Sequence, residues 1–393
     1  MTEGCAMREL HVALISGPQY DRLAQLLPAF ERRHGYRVSV EVQLPHVELN
    51  ARMAADLGTP HGPYDLISTH TKYAPSQAAH LRPLDELLAA EDLADFFPRV
   101  VELCRINGML LQLPRNFDAR LLFYRADLIA APQSWEDAAA QMARHARPGF
   151  FGFAFPGRHS GLFGTFYELL GMAGGDLFDA HLRPIFNDAA GIWALRFLHR
   201  LHTLDRVTPP DLLQRWYYDE VSEEFRRGHV LMVGDWPGFY GLYKDPQTCA
   251  VIEQFDTAVY PAGPAGVRKS YAGCHSFAIP KAAPDVQGAL LLLHYLISPE
   301  VQYVEASRSG HTPVRRTVFD RVKGELPEGS RDARRMAALE RTIEHYAMIP
   351  PKFARYPMVE DILWSGVQQA ITGAVTPQAA LQAMERQVEE ALR

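Results

Sequence analysis

Residues 10–44 read LHVALISGPQYDRLAQLLPAFERRHGYRVSVEVQL, and their patterning decides the fold class. Leu10 to Ile15 is a short apolar run that stops at Ser16-Gly17-Pro18, a turn signal. Leu23, Leu26, Leu27 and Phe30 follow at i, i+3, i+4 and i+7, one face of an amphipathic helix, and Gly35 closes it. Val38, Val40, Val42 and Leu44 then alternate with Ser39, Glu41 and Gln43, the period of a half-buried strand. Further on, a second helix is expected over Glu48 to Leu57 and a third strand over Tyr64 to Ser68, after Gly62-Pro63. A β-α-β-α-β order implies a parallel sheet with helices on its faces. Ligands in such sheets sit beyond the carboxyl ends of the strands, here Ser16 to Tyr20, Pro45-His46 and Thr69 to Tyr73.

The pattern breaks at Leu113-Pro114-Arg115-Asn116, and a new strand is expected over Leu121 to Tyr124. Ser134 is placed to cap a helix, and a Gly- and aromatic-rich loop, Phe150 to Gly164, leads into a helix over Thr165 to Met172. Ile192, Leu195, Leu198 and Leu201 mark a helix between Asn187 and Leu204. Val230 to Val233 and Ser276 to Ile279 read as buried strands, and Ser298-Pro299-Glu300 as a helix start. A last helix begins at Thr376-Pro377, with Leu381, Met384, Val388 and Leu392 on one face.

The chain has 393 residues, enough for two hydrophobic cores, with 47% hydrophobic and 22% charged residues. A net charge of −6 lacks the basic footprint of a nucleic-acid binder. Lysine occurs only at Lys72, Lys244, Lys269, Lys281, Lys323 and Lys352; every other basic residue is Arg. Cys5, Cys104, Cys249 and Cys274 form no CxxC pair, which argues against a cysteine-based zinc site. A Cys249–Cys274 bridge is left open, with free buried thiols the simpler reading. No apolar run approaches the ~18 residues of a membrane span, and Val12 to Ile15 is too short for a signal-peptide core. Residues 1–7 read as a ragged leader. The protein is then either cytoplasmic or an exported chain whose signal has been removed.

Motifs of covalent chemistry are missing: no GxSxG elbow, HExxH pair, P-loop or GxGxxG after a strand. His199 and His202 lie three apart, but Arg196 and Arg200 beside them oppose a cation. Asp92 and Asp95 read as a solvated face, as do Glu223, Glu224, Arg226 and Arg227. What remains is aromatic. Trp236, in Gly234-Asp235-Trp236-Pro237-Gly238 just after a buried strand, offers a flat face for a sugar ring or a cation. Trp216-Tyr217-Tyr218 is a second aromatic group, while Trp135, Trp193 and Trp364 fall on helix positions that suit packing.

Block order then resembles the bacterial extracellular solute-binding proteins, family 1, that serve ABC importers of carbohydrates. The blocks are Leu23 to Gly35 with Val38 to Val42; Tyr64-Asp65-Leu66-Ile67 leading to Leu81-Arg82-Pro83-Leu84-Asp85; and Asn107-Gly108 to Leu113-Pro114. They continue through Leu122 to Leu128, Pro132 to Asp137, Gly152 to Gly157, Gly174-Gly175, Gly273 to Lys281, Ser298-Pro299-Glu300 and Ile371 to Leu381.

The resemblance implies an α/β fold of two lobes, each a mainly parallel sheet flanked by helices, with the ligand in the cleft between them. It implies an N-terminal lobe of residues 8–115 plus 273–322 and a C-terminal lobe of residues 116–272 plus 323–393. It implies a non-enzymatic, monomeric receptor that needs no cofactor or metal. Such a receptor delivers a small carbohydrate or polyol to permease subunits by hinge closure, in the periplasm. The site residues it suggests are Gln19 and Tyr20 in the first loop; Thr69, His70 and Lys72 after the third strand; and Asp118 past the first crossing. Arg158 before a helix, Tyr167, the stacking Trp236 and His275 complete the set. Relatives often carry Trp and Asp where this chain has His70 and Lys72, which suggests a ligand smaller or more anionic than a long maltose-like oligosaccharide. A sugar acid or phosphorylated polyol is one alternative, and a cytoplasmic enzyme or sensor on the same fold is another.

Overall fold

The structure is a computed structural model that describes residues 7–17, 20–59 and 64–393. Cys5, Gln19 and the Gly62-Pro63 turn lie outside the described residues. The strands of the two largest sheets, in chain order, are β1 (Arg8–Ile15), β2 (Tyr36–Leu44), β3 (Leu66–His70), β4 (Leu113–Pro114), β5 (Leu121–Arg125), β6 (Phe151–Ala154), β7 (Val230–Asp235), β8 (Phe255–Ala258) and β9 (His275–Ala278). Contacts divide the chain into two compact units. One comprises Met1–Asp118, Gly273–Glu325 and Lys352–Ala354; the other comprises Ala119–Ala272, Leu326–Pro351 and Arg355–Arg393. Among the described residues no helix is long and apolar enough to cross a membrane.

In the first unit the sheet order is β2-β1-β3-β9-β4. β1 runs parallel to β2 and β3, as the opening stretch predicts. The helix Leu27–His34 ends at Gly35 with φ of 70°, a left-handed conformation that glycine adopts without steric cost. The helix His46–Asp56 buries Leu49 and Met53 against Ala13, Ile15 and Ile67 of the sheet.

A mainly parallel sheet in each lobe needs correcting. β9 is antiparallel to both β3 and β4. In the second unit the order is β8-β5-β7-β6, with β5 antiparallel to β7 and to β8 and only the β7–β6 pair parallel. β9 follows the return of the chain into its unit, without a helical crossover, so the rule that makes crossover-linked strands parallel does not act on it.

The helix His159–Met172 also begins earlier than its apolar pattern suggests. From Gly161 to Met172 it is buried on every side, so no polar face marks its period. By contrast, Ser134, Ser298 and Thr376 each accept an amide at their helix N-terminus, as their sequence context predicts.

Segment 113–118, where the first unit hands the chain on, is held firmly. The Arg115 amide donates to the His275 carbonyl at 2.8 Å and the Phe117 amide to the Thr312 carbonyl at 3.1 Å. The Arg115 guanidinium, 2% exposed, lies on Glu305, with Nε to Oε1 at 3.0 Å. Removing one partner of such a pair strands the other charge in the interior, so Glu305→Ala should cost about 3–5 kcal/mol of stability. Urea unfolding measures it; a midpoint within error of the parent would remove this pair from the stabilising interactions.

Candidate functional site

The β3–β9 register sets His275 opposite His70 at the carboxyl end of β3. Their ring centroids are 4.8 Å apart. His46 is the first residue of the helix that follows β2, and its ring lies 4.8 Å from His70 and 5.2 Å from His275. Three strand ends thus bring three imidazoles together. Tyr73 packs against His46 at 4.9 Å, and Tyr20 against His275 at 4.6 Å, with its hydroxyl 2.6 Å from Nε2. Asp118 Oδ2 stands 3.7 Å from the same nitrogen, and Asp118 Oδ1 accepts from Asn116 Nδ2 at 3.0 Å. His311 completes the rim, edge-on to Tyr20 at 6.1 Å.

Burial decides the charge here: His275 is buried, and His46 and His70 are half-buried beside it. Burial, with Lys72 nearby, lowers the His46 pKa to about 3. Burial and the neighbouring cationic and imidazole groups hold His70 and His275 well below the ordinary range. Burial raises the Asp118 pKa to about 7, against the opposing pull of Asn116 and Arg115. At neutral pH the imidazoles are uncharged, each with one N–H donor and one lone pair.

Thr69 points the other way along β3. Its hydroxyl donates to Gln77 Oε1 at 2.7 Å, and Gln77 Nε2 donates to Asn50 at 3.0 Å. Under the imidazoles a cavity of about 20 Å³ is bordered by His46, Asn50, Ser68, Thr69, His70 and His275. Lys72 donates its amide to His70 Nδ1 at 3.1 Å, and its ammonium lies 5.3 Å from the Tyr73 ring. Gly273 permits the close approach of His70, since a Cβ there would meet Nε2 at 2.9 Å.

The second unit carries a separate aromatic group. Trp236, half-buried after β7, lies edge-on to Tyr218 at 5.8 Å and Tyr271 at 6.4 Å, with the Arg120 guanidinium 5.4 Å from its ring. Asp235 fixes the turn: Oδ1 accepts the Trp236 amide at 2.8 Å and Oδ2 the Tyr243 hydroxyl at 2.6 Å. Arg120 is 1% exposed and grips Glu168 through Nε at 3.1 Å and Nη2 at 2.6 Å. Glu168 Oε1 also accepts the Tyr271 amide at 2.7 Å. Burial opposes the Arg120 charge, and Glu168 outweighs it.

Of the residues expected from sequence, Tyr20, His70, Lys72, Asp118 and His275 come together. Thr69 lies beneath them, and Gln19 is outside the described residues. Tyr167 is buried, with its hydroxyl on Asp176 Oδ1 at 3.3 Å and its ring against Tyr271, so it supports the Trp236 group from behind. Arg158 precedes the helix His159–Met172 and donates to the Arg215 carbonyl at 3.2 Å; the ring neighbours of Trp236 are reached without it. His46 was legible as a strand end but not singled out. Tyr218 belongs to the second aromatic group marked in the sequence and Asn116 to the break at residues 113–116, whereas Arg120, Tyr271 and His311 had no local signal.

His199 and His202 turn to different partners, the Ile371 carbonyl and Thr208, and among the described residues no group of His, Cys, Asp or Glu is arranged for a metal. Asp92 and Asp95 are structural: Asp92 accepts the Ala89 amide and Asp95 the Thr317 amide and hydroxyl. Cys249 and Cys274 both carry free thiols.

The profile of the family described as bacterial extracellular solute-binding protein matches residues 16–303. The chain belongs to that family. A probable ABC transporter-binding protein of Deinococcus radiodurans is 23% identical over 392 residues, covering 95% of this chain and 90% of the relative. A mannitol-binding protein of Pseudomonas aeruginosa is 28% identical over 229 residues, 54% of this chain and 51% of that protein. Among solved structures, maltose-bound T. maritima MalE3 superposes with a TM-score of 0.86 at 23% identity, covering 97% of this chain and 99% of that one. The fold is therefore the two-lobe α/β fold of solute-binding proteins.

The buried imidazoles give this solute-binding protein a pH signature. Unfolding returns His46 to its ordinary pKa of 6.5, so its contribution is present above that pH and is lost as the pH falls toward about 3. His70 and His275 act in the same direction. Asp118 acts in the opposite one, favouring the folded state at acid pH and losing that effect as the pH rises through about 7. Burial also raises Glu168 to about 7 and Asp235 to about 6, and both act with Asp118, so the part due to His46 is read as a difference between parent and variant. Replacing His46→Phe should make the change in stability from pH 7 to pH 5 more favourable by roughly 1–2 kcal/mol. Urea midpoints at the two pH values measure it; equal slopes for parent and variant would show that His46 titrates normally.

Proposed function

We propose that the chain is the solute-binding component of an ABC importer and takes a small neutral polyol or sugar. The observation that carries this reading is the uncharged imidazole group of His46, His70 and His275 beside Tyr20 and Asp118. His70, whose Nδ1 accepts the Lys72 amide, keeps an Nε2–H donor, and His275 shares Nε2 with the Tyr20 hydroxyl; neutral polar groups of this kind suit hydroxyls, and the rings give an anion no counter-charge. Mannitol and maltose, named for a relative and for a structural neighbour, are of this class. In this reading Trp236 supplies the apolar face for the C–H side of the ligand, and Tyr20 closes one end. Thr69 and Tyr167 act through the side chains they hold. Closing of the two lobes on the ligand is the mechanism that family membership implies. Export to the periplasm, a monomeric state and docking on permease subunits belong to the same proposal.

The test is a thermal-shift screen of sugars, polyols and sugar acids, followed by calorimetry on the strongest hit. Trp236→Ala should weaken binding by about 30-fold, roughly 2 kcal/mol, as loss of an aromatic anchor does. Its urea midpoint should change little, because the ring is half-buried and Arg120 keeps Glu168. A large fall in midpoint with normal affinity would make Trp236 a core residue instead.

Lys72 favours a second reading, a sugar acid or phosphorylated polyol, because it depresses the pKa of both His46 and His70. An anionic ligand should lose about 2–5 kcal/mol of affinity in Lys72→Ala. A neutral ligand should lose far less, and Arg158→Ala should leave it unchanged. Steep loss in Lys72→Ala would overturn the neutral reading.

A further inference from the structure

Two of the buried cysteines meet, and they are not the pair whose bridging the sequence left open. Cys104 ends the helix Pro98–Cys104, and Cys274 directly precedes β9; their sulfurs are 3.5 Å apart. Both side chains are fully enclosed. Ser276 Oγ shares the same small space, 3.2 Å from Cys274 Sγ and 3.7 Å from Cys104 Sγ.

The backbone around each cysteine is pinned. Cys274 exchanges two hydrogen bonds with Thr71, its amide to Oγ1 and the Thr71 amide to its carbonyl, both 3.2 Å. The Cys104 carbonyl accepts the Leu111 amide at 3.4 Å, and Lys352 Nζ donates to the flanking carbonyls of Glu102 at 2.5 Å and Arg105 at 3.0 Å. Two thiols held in contact by independent backbone anchors are a prepared cross-link. To reach a disulfide of ~2.05 Å, the sulfurs need to approach by roughly 1.5 Å in all.

We propose that Cys104 and Cys274 are joined by a structural disulfide when the chain folds in oxidising surroundings, tying the helix Pro98–Cys104 to the strand that carries His275. This goes beyond the ligand reading and does not rest on it. The oxidant is a low-molecular-weight or protein disulfide. One cysteine thiolate attacks it and expels one thiolate; the second cysteine then displaces the other. Two protein thiols and one disulfide become one protein disulfide and two thiols, so atoms and electrons balance. Burial keeps the Cys274 thiol protonated in the folded state, so the exchange takes place before the fold closes. Cys249 lies in the other unit, outside this contact. The bridge would join residues far apart in sequence, a long loop whose closure restricts the unfolded chain.

The experiment refolds the reduced, denatured protein with oxidised and reduced glutathione, blocks free thiols with iodoacetamide and measures intact and tryptic masses. The expected result is loss of two hydrogens, with the peptide 100–105 linked to the peptide 270–281. The melting temperature should rise by several degrees over the reduced protein, and dithiothreitol should abolish that rise. Cys104→Ser should show neither change; Cys274→Ala serves the same purpose if the first variant fails to fold. Full alkylation of Cys104 and Cys274 after oxidative refolding, or a bridge that uses Cys249 or Cys5, would overturn the proposal.

Discussion

Strand β9 enters its sheet between β3 and β4 and runs against both, and this pairing decides where the imidazoles fall. Antiparallel pairing sets the first residue of β9, His275, level with the last residue of β3, His70. A parallel strand would have carried His275 to the opposite edge of the sheet, away from His46. The same pairing brings Asn116 under the His275 amide at 3.1 Å, and so positions Asp118 beside the ring. The site of the first unit is therefore a product of strand direction before it is a product of residue choice.

Electrostatics follows from that placement. The imidazoles pack against one another with centroids 4.8–5.2 Å apart, each burying part of its neighbours. Desolvation then keeps the rings neutral, so they meet their neighbours as uncharged hydrogen-bonding groups. The second unit solves the opposite problem. There a charge is required to lie under an aromatic ring, and Arg120 is kept in place by a two-point contact to Glu168, which is itself anchored on the Tyr271 amide. An aromatic face above a fixed guanidinium is held in orientation before any ligand arrives, which lowers the ordering cost of binding.

Much of the frame is legible in the sequence because its signals are local. The alternation from Val38 to Leu44, the period of Leu23 to Phe30 and the caps at Ser134, Ser298 and Thr376 each depend on a few neighbouring residues. Strand direction in the second unit was not legible, since β5 and β7 are largely apolar runs, β8 is a short Phe-Asp-Thr-Ala segment, and the pairing of all three depends on distant partners. The site divides in the same way. His70 and Tyr20 sit at strand ends that the rule for parallel sheets identifies, and His46 sits at a third. Arg120 and His311 reach their groups through tertiary contacts with Glu168 and Tyr20, and no spacing announces them. The cysteines show the cost of judging by sequence proximity: Cys249 and Cys274 are nearer in the chain, yet Cys104 touches Cys274.

The central claim is that neutral imidazoles bind the hydroxyls of a small polyol or sugar. A crystal structure of the complex with the tightest binder among D-mannitol, ribitol and maltose tests it most directly. The account predicts ligand hydroxyls within hydrogen-bonding distance of at least two of His46, His70, His275 and Asp118, with the Trp236 ring against the carbon skeleton. A ligand bound away from those imidazoles, or one whose charged group sits on Lys72, would contradict it.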